Sequence, residues 1–129
     1  MVAAEREYGV PRQLLYAIAL KERTAPGQKV CRNKNGTCDH GRMGINTAVI
    51  QTLSKYGVTS AAILSDECLN TRVGAWLLAK HYAKDASWVH AIGKYNVGSF
   101  SSPARTRIGL NYARDVLRYW HALYAQTVN

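Results

Sequence analysis

Apolar side chains in this chain fall at three- and four-residue intervals almost from end to end, and strict alternation is nearly absent. That spacing gathers them on one face of an α-helix but scatters them over both faces of a strand. It commits the chain to an all-α domain. Room for a small hairpin remains only where the helical spacing lapses, in the 31–38 loop. At 129 residues the chain suits one domain, 1–129, built on one core.

The first clear helix begins after Tyr8-Gly9-Val10, with Pro11 in its first turn, where a missing N–H costs nothing. Leu14, Leu15, Ile18 and Glu22 share one face of it. A polar loop rich in Gly, Asn and Lys runs from Thr24 to about Arg42. Ile45 to Tyr56 reads as helix, with Val49, Ile50 and Leu53 inward and Gly57 as its C-terminal cap. Ser60 to Ser65 is a short helix. Asn70 or Thr71 is placed to cap a longer one carrying Val73, Trp76 and Leu77. Ser87 caps the next, with Trp88, Ile92 and Tyr95 on one face, and Asn96 to Pro103 reads as a Gly/Ser-rich loop. The last helix is expected from about Gly109 to Thr127, striped by Tyr112, Val116, Tyr119 and Leu123. Tyr-Gly-Val occurs at 8–10 and 56–58, each time between helices. The flanking sequences differ, so this is shared turn chemistry and not an internal repeat.

The composition excludes several classes. With 47% hydrophobic and 19% charged residues the chain is too apolar for intrinsic disorder. Its longest apolar run, Leu14 to Leu20, has seven residues, against the roughly 20 a bilayer-crossing helix needs. The N-terminus passes from Met1-Val2 directly into polar Glu5-Arg6-Glu7, so no signal peptide is expected. The chain is then either native to the cytoplasm or a mature segment beginning at a new Met. No Gly-rich phosphate loop and no Ser or Cys elbow beside a His is present, which leaves nucleotide binding and nucleophile triads without support. A net charge of +9 calls for an anionic partner. The basic residues are scattered, however, so charge alone selects none among nucleic acid, membrane surface and wall polymer.

Three cysteines, Cys31, Cys38 and Cys68, allow three readings. Cys31 and Cys38 flank a turn and suit a local disulfide, which implies an oxidising compartment and leaves one thiol over. Cys31, Cys38, His40 and Cys68 are four possible zinc ligands, although no tight C-x2-C pair is present. Three buried free thiols are the third.

Glu22 is the most informative polar residue. It sits on the apolar line of its helix, below Leu15 and Ile18. Burial there disfavours the carboxylate and raises its pKa, which is what a general acid for glycosidic cleavage needs. The plainer alternative is a Glu22 paired with Lys21 or Arg23, or exposed at a frayed end. Asp39 is the nearest candidate for a second carboxylate, and a turn or cap role suits it equally. His40 reads as an ordinary loop histidine. In Lys94-Tyr95-Asn96-Val97-Gly98-Ser99 an aromatic ring and an amide meet at a helix end before a glycine. A ring that stacks on a sugar and an amide that bonds its hydroxyl or acetamido groups would make a sugar site. A buried Tyr and a capping Asn would look the same.

Taken together, these segments resemble the catalytic domain of soluble-type (SLT) lytic transglycosylases, which have a lysozyme-like fold. The likeness covers nearly the whole chain and is nearest to the small specialised enzymes that accompany bacterial secretion and conjugation machinery. Tyr8-Gly9-Val10-Pro11 through Leu14-Leu15-Tyr16-Ala17-Ile18-Ala19 to Glu22 is similar to the helix ending in the family's catalytic glutamate. Asp39-His40-Gly41-Arg42-Met43-Gly44-Ile45-Asn46 is similar to the Gly-Leu-Met-Gln segment with its Ile-Asn extension. Lys94-Tyr95-Asn96-Val97-Gly98 is similar to Ala-Tyr-Asn-Ala-Gly, and Tyr112 to the tyrosine that points at the catalytic acid. The departures are Arg23 for Ser after the glutamate, Arg42 for Leu and Gly44 for Gln. They put two cations in place of neutral residues and remove an amide.

The resemblance implies an enzyme with Glu22 as its single acid/base and no cofactor or metal. Met43, Asn46, Tyr95 and Asn96 would line the sugar cleft, and Tyr112 would orient Glu22. The substrate would be peptidoglycan glycan strands and the product a 1,6-anhydro sugar. Partners would come from a secretion or conjugation apparatus and not from nucleic acid. The expected state is a monomer in the periplasm, its native signal peptide absent from this sequence. In relatives of this small type the cysteine matching Cys68 pairs with one just after the signal peptide, which would leave Cys31–Cys38 as an additional staple. Three rivals stand beside this reading: a lysozyme-type hydrolase using Asp39, a degenerate wall-binding domain without turnover, and a helix-turn-helix DNA-binding module at Thr47 to Leu64. The last has only Ala61, Ala62, Ile63 and Leu64 to offer base edges.

Overall fold

The computed structural model describes residues 1–128. Helices α1 (Val2–Tyr8) and α2 (Arg12–Glu22) come first, followed by three short strands, β1 (Lys29–Val30), β2 (Asp39–His40) and β3 (Ile45–Asn46). Then come α3 (Thr47–Leu53), a single 3-10 turn (Ser54–Tyr56), α4 (Ser60–Ser65), α5 (Glu67–Asp85), α6 (Trp88–Val97) and α7 (Pro103–Val128). The domain is helical, as the spacing predicts, and its only sheet among the described residues has two strands in the loop that escapes the helical pattern and a third, β3, where helix is expected.

That sheet is antiparallel in the order β1-β2-β3, with Lys29 opposite His40, Val30 opposite Asp39, and Asp39 opposite Asn46. The 31–38 segment is therefore the tip of a hairpin, closed by a Cys31–Cys38 disulfide with Cα atoms 4.2 Å apart. Two of the four candidate zinc ligands are consumed in this bond. A third, His40, is buried with Nδ1 2.8 Å from the Ile45 carbonyl oxygen. Cys68 is a free, exposed thiol.

Helix α1 precedes the first helix expected from the sequence, and α6 runs on through Asn96 and Val97, which read as loop. Three further boundaries differ, each for a local reason. Ile45 and Asn46 pair with β2 and leave the helix to start at Thr47, because the Asn46 side chain accepts the Ala48 N–H as an N-cap. Helix α5 starts at Glu67 and not near Asn70, because Asp66 Oδ1 accepts from the Leu69 N–H. Helix α7 starts two turns early, at Pro103, where Ser102 Oγ accepts from the Arg105 N–H.

Leu14, Leu15, Ile18, Met43, Ile45, Ile63, Leu78, Ile92 and Val116 are fully buried in one continuous core. Helix α7 packs along α2 and α6. Its early turns approach α6 so closely that a β-carbon on Gly93 would lie 3.0 Å from the Gly109 carbonyl oxygen, and one on Gly109 3.0 Å from that of Gly93. Only glycine permits this backbone-to-backbone contact. The second helix of the proposed helix-turn-helix, α4, is six residues long and turns Ile63 into the core.

Candidate active site

Glu22 is the last residue of α2. Leu14, Leu15, Ala17 and Ile18 bury the helix up to that point. At Arg23 the backbone turns left-handed, with φ +57°, and the helix stops. The carboxylate is thus carried by a helix that the core fixes, and it projects where the chain departs. From α7, the Tyr112 hydroxyl donates to Glu22 Oε2 at 2.5 Å. Burial raises the Glu22 pKa to about 7. The Tyr112 hydrogen bond and the charge of Lys21 oppose the rise, and the charge of Asp39 adds to it. Tyr112 is itself buried, which holds its phenol well above its ordinary pKa and keeps it a donor.

The cavity in front of Glu22 is walled by Tyr112, Asn96, Ile108 and Asn111, with the Lys21–Asp115 ion pair at its edge. Lys21 Nζ lies 3.0 Å from Asp115 Oδ2 and 5.9 Å from the centre of the Tyr112 ring. This pair answers the plainer reading of Glu22: its lysine neighbour pairs across to α7 and leaves the glutamate to the tyrosine.

The loop Gly41–Gly44 forms the other side. Gly44 has φ +62°, and a β-carbon there would lie 2.7 Å from the Glu22 carboxyl carbon. The position read as a lost amide thus lies directly against the carboxylate, and a side chain there would have to displace the Glu22 carboxyl group. Asn70, 2% exposed, fixes this loop from α5. Its Nδ2 donates to the His40 carbonyl and its Oδ1 accepts from the Met43 N–H, both at 2.9 Å.

The other expected site residues are placed unevenly. Asn96 is exposed on the cavity wall. Met43 is fully buried, its side chain against Gly74, and offers the cleft no side-chain surface. Its carbonyl oxygen accepts a 2.5 Å hydrogen bond from the Tyr95 hydroxyl, so Tyr95 ties α6 to the loop and stands mostly buried behind Glu22. Asn46 caps α3 and donates to Asp39 Oδ1 (3.1 Å) and Thr37 Oγ1 (3.0 Å). Asp39 also accepts from Asn33 Nδ2 at 3.3 Å. The carboxylate that raises the Glu22 pKa is therefore held on β2 by two amides.

Of the departures from the family pattern, Arg42 turns away to Glu67, with Nε 2.7 Å from Oε1, and Arg23 is exposed at the helix end. Neither lines the cavity with Glu22. Asn70, Asn111 and the Lys21–Asp115 pair escaped the sequence reading. The only signal for Asn111 and Asp115 was their place one residue before and three after Tyr112. Asn70 carried none, since its partners lie 27 and 30 residues away.

A carboxyl group with a pKa of about 7, desolvated on one side and open to a cavity on the other, can give up a proton and take one back near neutral pH. Among the described residues no cluster of three His, Cys, Asp or Glu side chains is placed to hold a metal ion.

Comparison with known proteins agrees in extent with this arrangement. The family model for the transglycosylase SLT domain matches residues 1–115, from α1 through Tyr112. Invasion protein IagB of Salmonella typhimurium (strain SL1344) is 34% identical over 123 residues, covering 93% of this chain and 74% of that protein. Protein IpgF of Shigella flexneri is 34% identical over 125 residues, covering 97% and 80%. X polypeptide of Escherichia coli (strain K12) is 30% identical over 118 residues, covering 91% and 69%. With the matched segment running through Glu22, the Gly41–Gly44 loop, the Tyr95-Asn96 pair and Tyr112, this chain belongs to the transglycosylase SLT domain family.

Proposed function

We propose that the protein is a peptidoglycan lytic transglycosylase with Glu22 as its acid and base. The observation that carries this reading is the half-buried carboxyl group of Glu22, raised to a pKa of about 7 and held by Tyr112 at a cavity. Protonated Glu22 gives its proton to the oxygen linking N-acetylmuramic acid to N-acetylglucosamine, and the bond from that oxygen to the muramyl C1 breaks. The acetamido oxygen of the same sugar closes on C1 and takes up the positive charge. Ionised Glu22 then accepts the proton of the muramyl 6-hydroxyl as that oxygen bonds to C1 and displaces the acetamido group. The product is a 1,6-anhydro sugar, no water is consumed, and Glu22 ends protonated as it began. Tyr112 holds the carboxyl in place through both transfers, and Asn96 and Asn111 offer amides to the sugar.

A second reading, hydrolysis through Asp39, draws on the carboxylate that Asn33 and Asn46 hold near enough to raise the Glu22 pKa. It would deliver a water to C1 and leave reducing ends. We place the enzyme in the periplasm, opening the wall locally for a secretion or conjugation apparatus. The support for this is its likeness to a protein named for invasion, together with a disulfide that suits an oxidising compartment.

Mass spectrometry of products from purified peptidoglycan tests the assignment, with Glu22→Gln beside the unaltered protein. Anhydro-muropeptides from the unaltered protein alone are expected. Reducing ends would move the protein to the hydrolases. No product from a folded protein would leave a wall-binding domain without turnover.

A further inference from the structure

A second, open groove lies along α7 and shares one wall residue with the cavity at Glu22. It encloses about 720 Å³, against about 410 Å³ at Glu22, and Asn111 lines both. Its walls are Phe100 and Leu110, its rim carries the hydroxyls of Ser101, Ser102 and Thr106, and its cation is Arg107. No acidic side chain lines it. Arg107 stands one helical turn before Asn111 and therefore on the same face of α7. The neighbouring arginines are occupied: Arg105 donates to the Val97 carbonyl at 2.8 Å, and Arg114 pairs with Asp115. Arg107 is exposed and makes no ion pair or hydrogen bond with any described residue.

The Thr106 hydroxyl is spent on the Ser102 carbonyl at 2.9 Å, which leaves the uncommitted guanidinium, the Ser101 and Ser102 hydroxyls and two apolar walls to fit a short peptide with small side chains and free carboxylates. The proposed substrate carries such a peptide, attached through a lactyl ether to the sugar whose glycosidic bond Glu22 would protonate. We propose that this groove receives the peptide stem of the bound muramyl residue and that Arg107 pairs with its carboxylates, making Arg107 a determinant of substrate specificity. The proposal rests on peptidoglycan being the substrate. It makes the protein a reader of the peptide as well as of the glycan.

The test compares kcat/KM on glycan strands that keep their stems with kcat/KM on strands stripped by an amidase. Proteins with Arg107→Ala and Arg107→Lys are assayed beside the unaltered one. The expected result is a preference of the unaltered protein for stem-bearing strands. Arg107→Ala reduces that preference about fivefold, through KM, as the loss of one solvent-exposed ion pair would. Arg107→Lys retains most of it. Equal cleavage of both strands by the unaltered protein, or an unchanged preference in Arg107→Ala, would overturn the inference and leave the proposed function standing. Cleavage of neither strand by the folded protein would overturn both.

Discussion

The Tyr112 hydroxyl donates to the Glu22 carboxylate at 2.5 Å across a sequence separation of 90 residues, joining the end of α2 to the face of α7. The bond favours the ionised carboxylate, while burial of the same group favours the protonated one. Because burial dominates, the proton affinity of Glu22 depends on how much each neighbour offsets it, and each neighbour can be removed separately.

Removing Tyr112 and removing Asp39 should act in opposite directions. Tyr112→Phe takes away an interaction that lowers the Glu22 pKa, and Asp39→Asn takes away one that raises it. The alkaline limb of the pH–activity profile reports loss of the acid's proton, centred near pH 7 in the unaltered protein. It should move to higher pH in Tyr112→Phe and to lower pH in Asp39→Asn. Tyr112→Phe should also lower kcat about tenfold or more, since the carboxyl loses its anchor. Shifts in the same direction would contradict this electrostatic account.

The raised pKa also costs stability when Glu22 ionises. The folded protein holds the Glu22 proton up to about pH 7, whereas the unfolded chain releases it near 4.5, so stability falls as pH rises through that window. Glu22→Gln removes the titration. Its stability relative to the unaltered protein should grow between pH 4.5 and 7 by up to about 3 kcal/mol and be level above that. Urea unfolding of both proteins at pH 4.5, 6 and 8 measures it. A pH-independent difference would mean that the carboxyl is not desolvated.

Gly44→Ala should be costly twice. Its φ of +62° suits glycine, and the added methyl would meet the Glu22 carboxyl carbon at 2.7 Å. A loss of about 1–3 kcal/mol is expected from the backbone and the displaced carboxyl together. Turnover should fall further than this loss of stability explains. Thermal melts and the cleavage assay at one temperature separate the two effects.

Asn70→Ala should leave the Met43 N–H buried without a partner and take the side-chain bond from the His40 carbonyl. The expected cost is about 2–4 kcal/mol in urea unfolding. Amide exchange at Met43 should become faster than in the unaltered protein even where the fold is retained.

The helices were legible because their caps and apolar faces are local: Pro11, Gly57 and Ser87 each mark an end that the structure keeps. The start of α7 was not, because Gly109 and the Ser-Ser-Pro run carry loop chemistry in isolation. In the fold Gly109 is a helical residue whose missing side chain admits α6, a requirement set by Gly93 in a different helix. The site divides in the same way. The position of Glu22 on an apolar line was readable from its own helix, whereas its partner Tyr112 came from resemblance to a family. Met43 reads as cleft-lining from its motif. Its unbranched apolar side chain instead fills the space left by Gly74, and only its carbonyl serves the site. Asn70 shows the limit most clearly, since a polar residue amid a helical pattern gives no sign of which distant backbone atoms will need it.

The contact between Gly93 and Gly109 also sets a dimension. Asn96 lies one turn beyond the first glycine and Tyr112 one turn beyond the second, so both walls of the cavity are carried by the two helices that meet at this contact. A methyl group on either residue would act as a shim between the helices and swing both walls. The width of the cavity at Glu22 is thus gauged by two hydrogen atoms that do not line it.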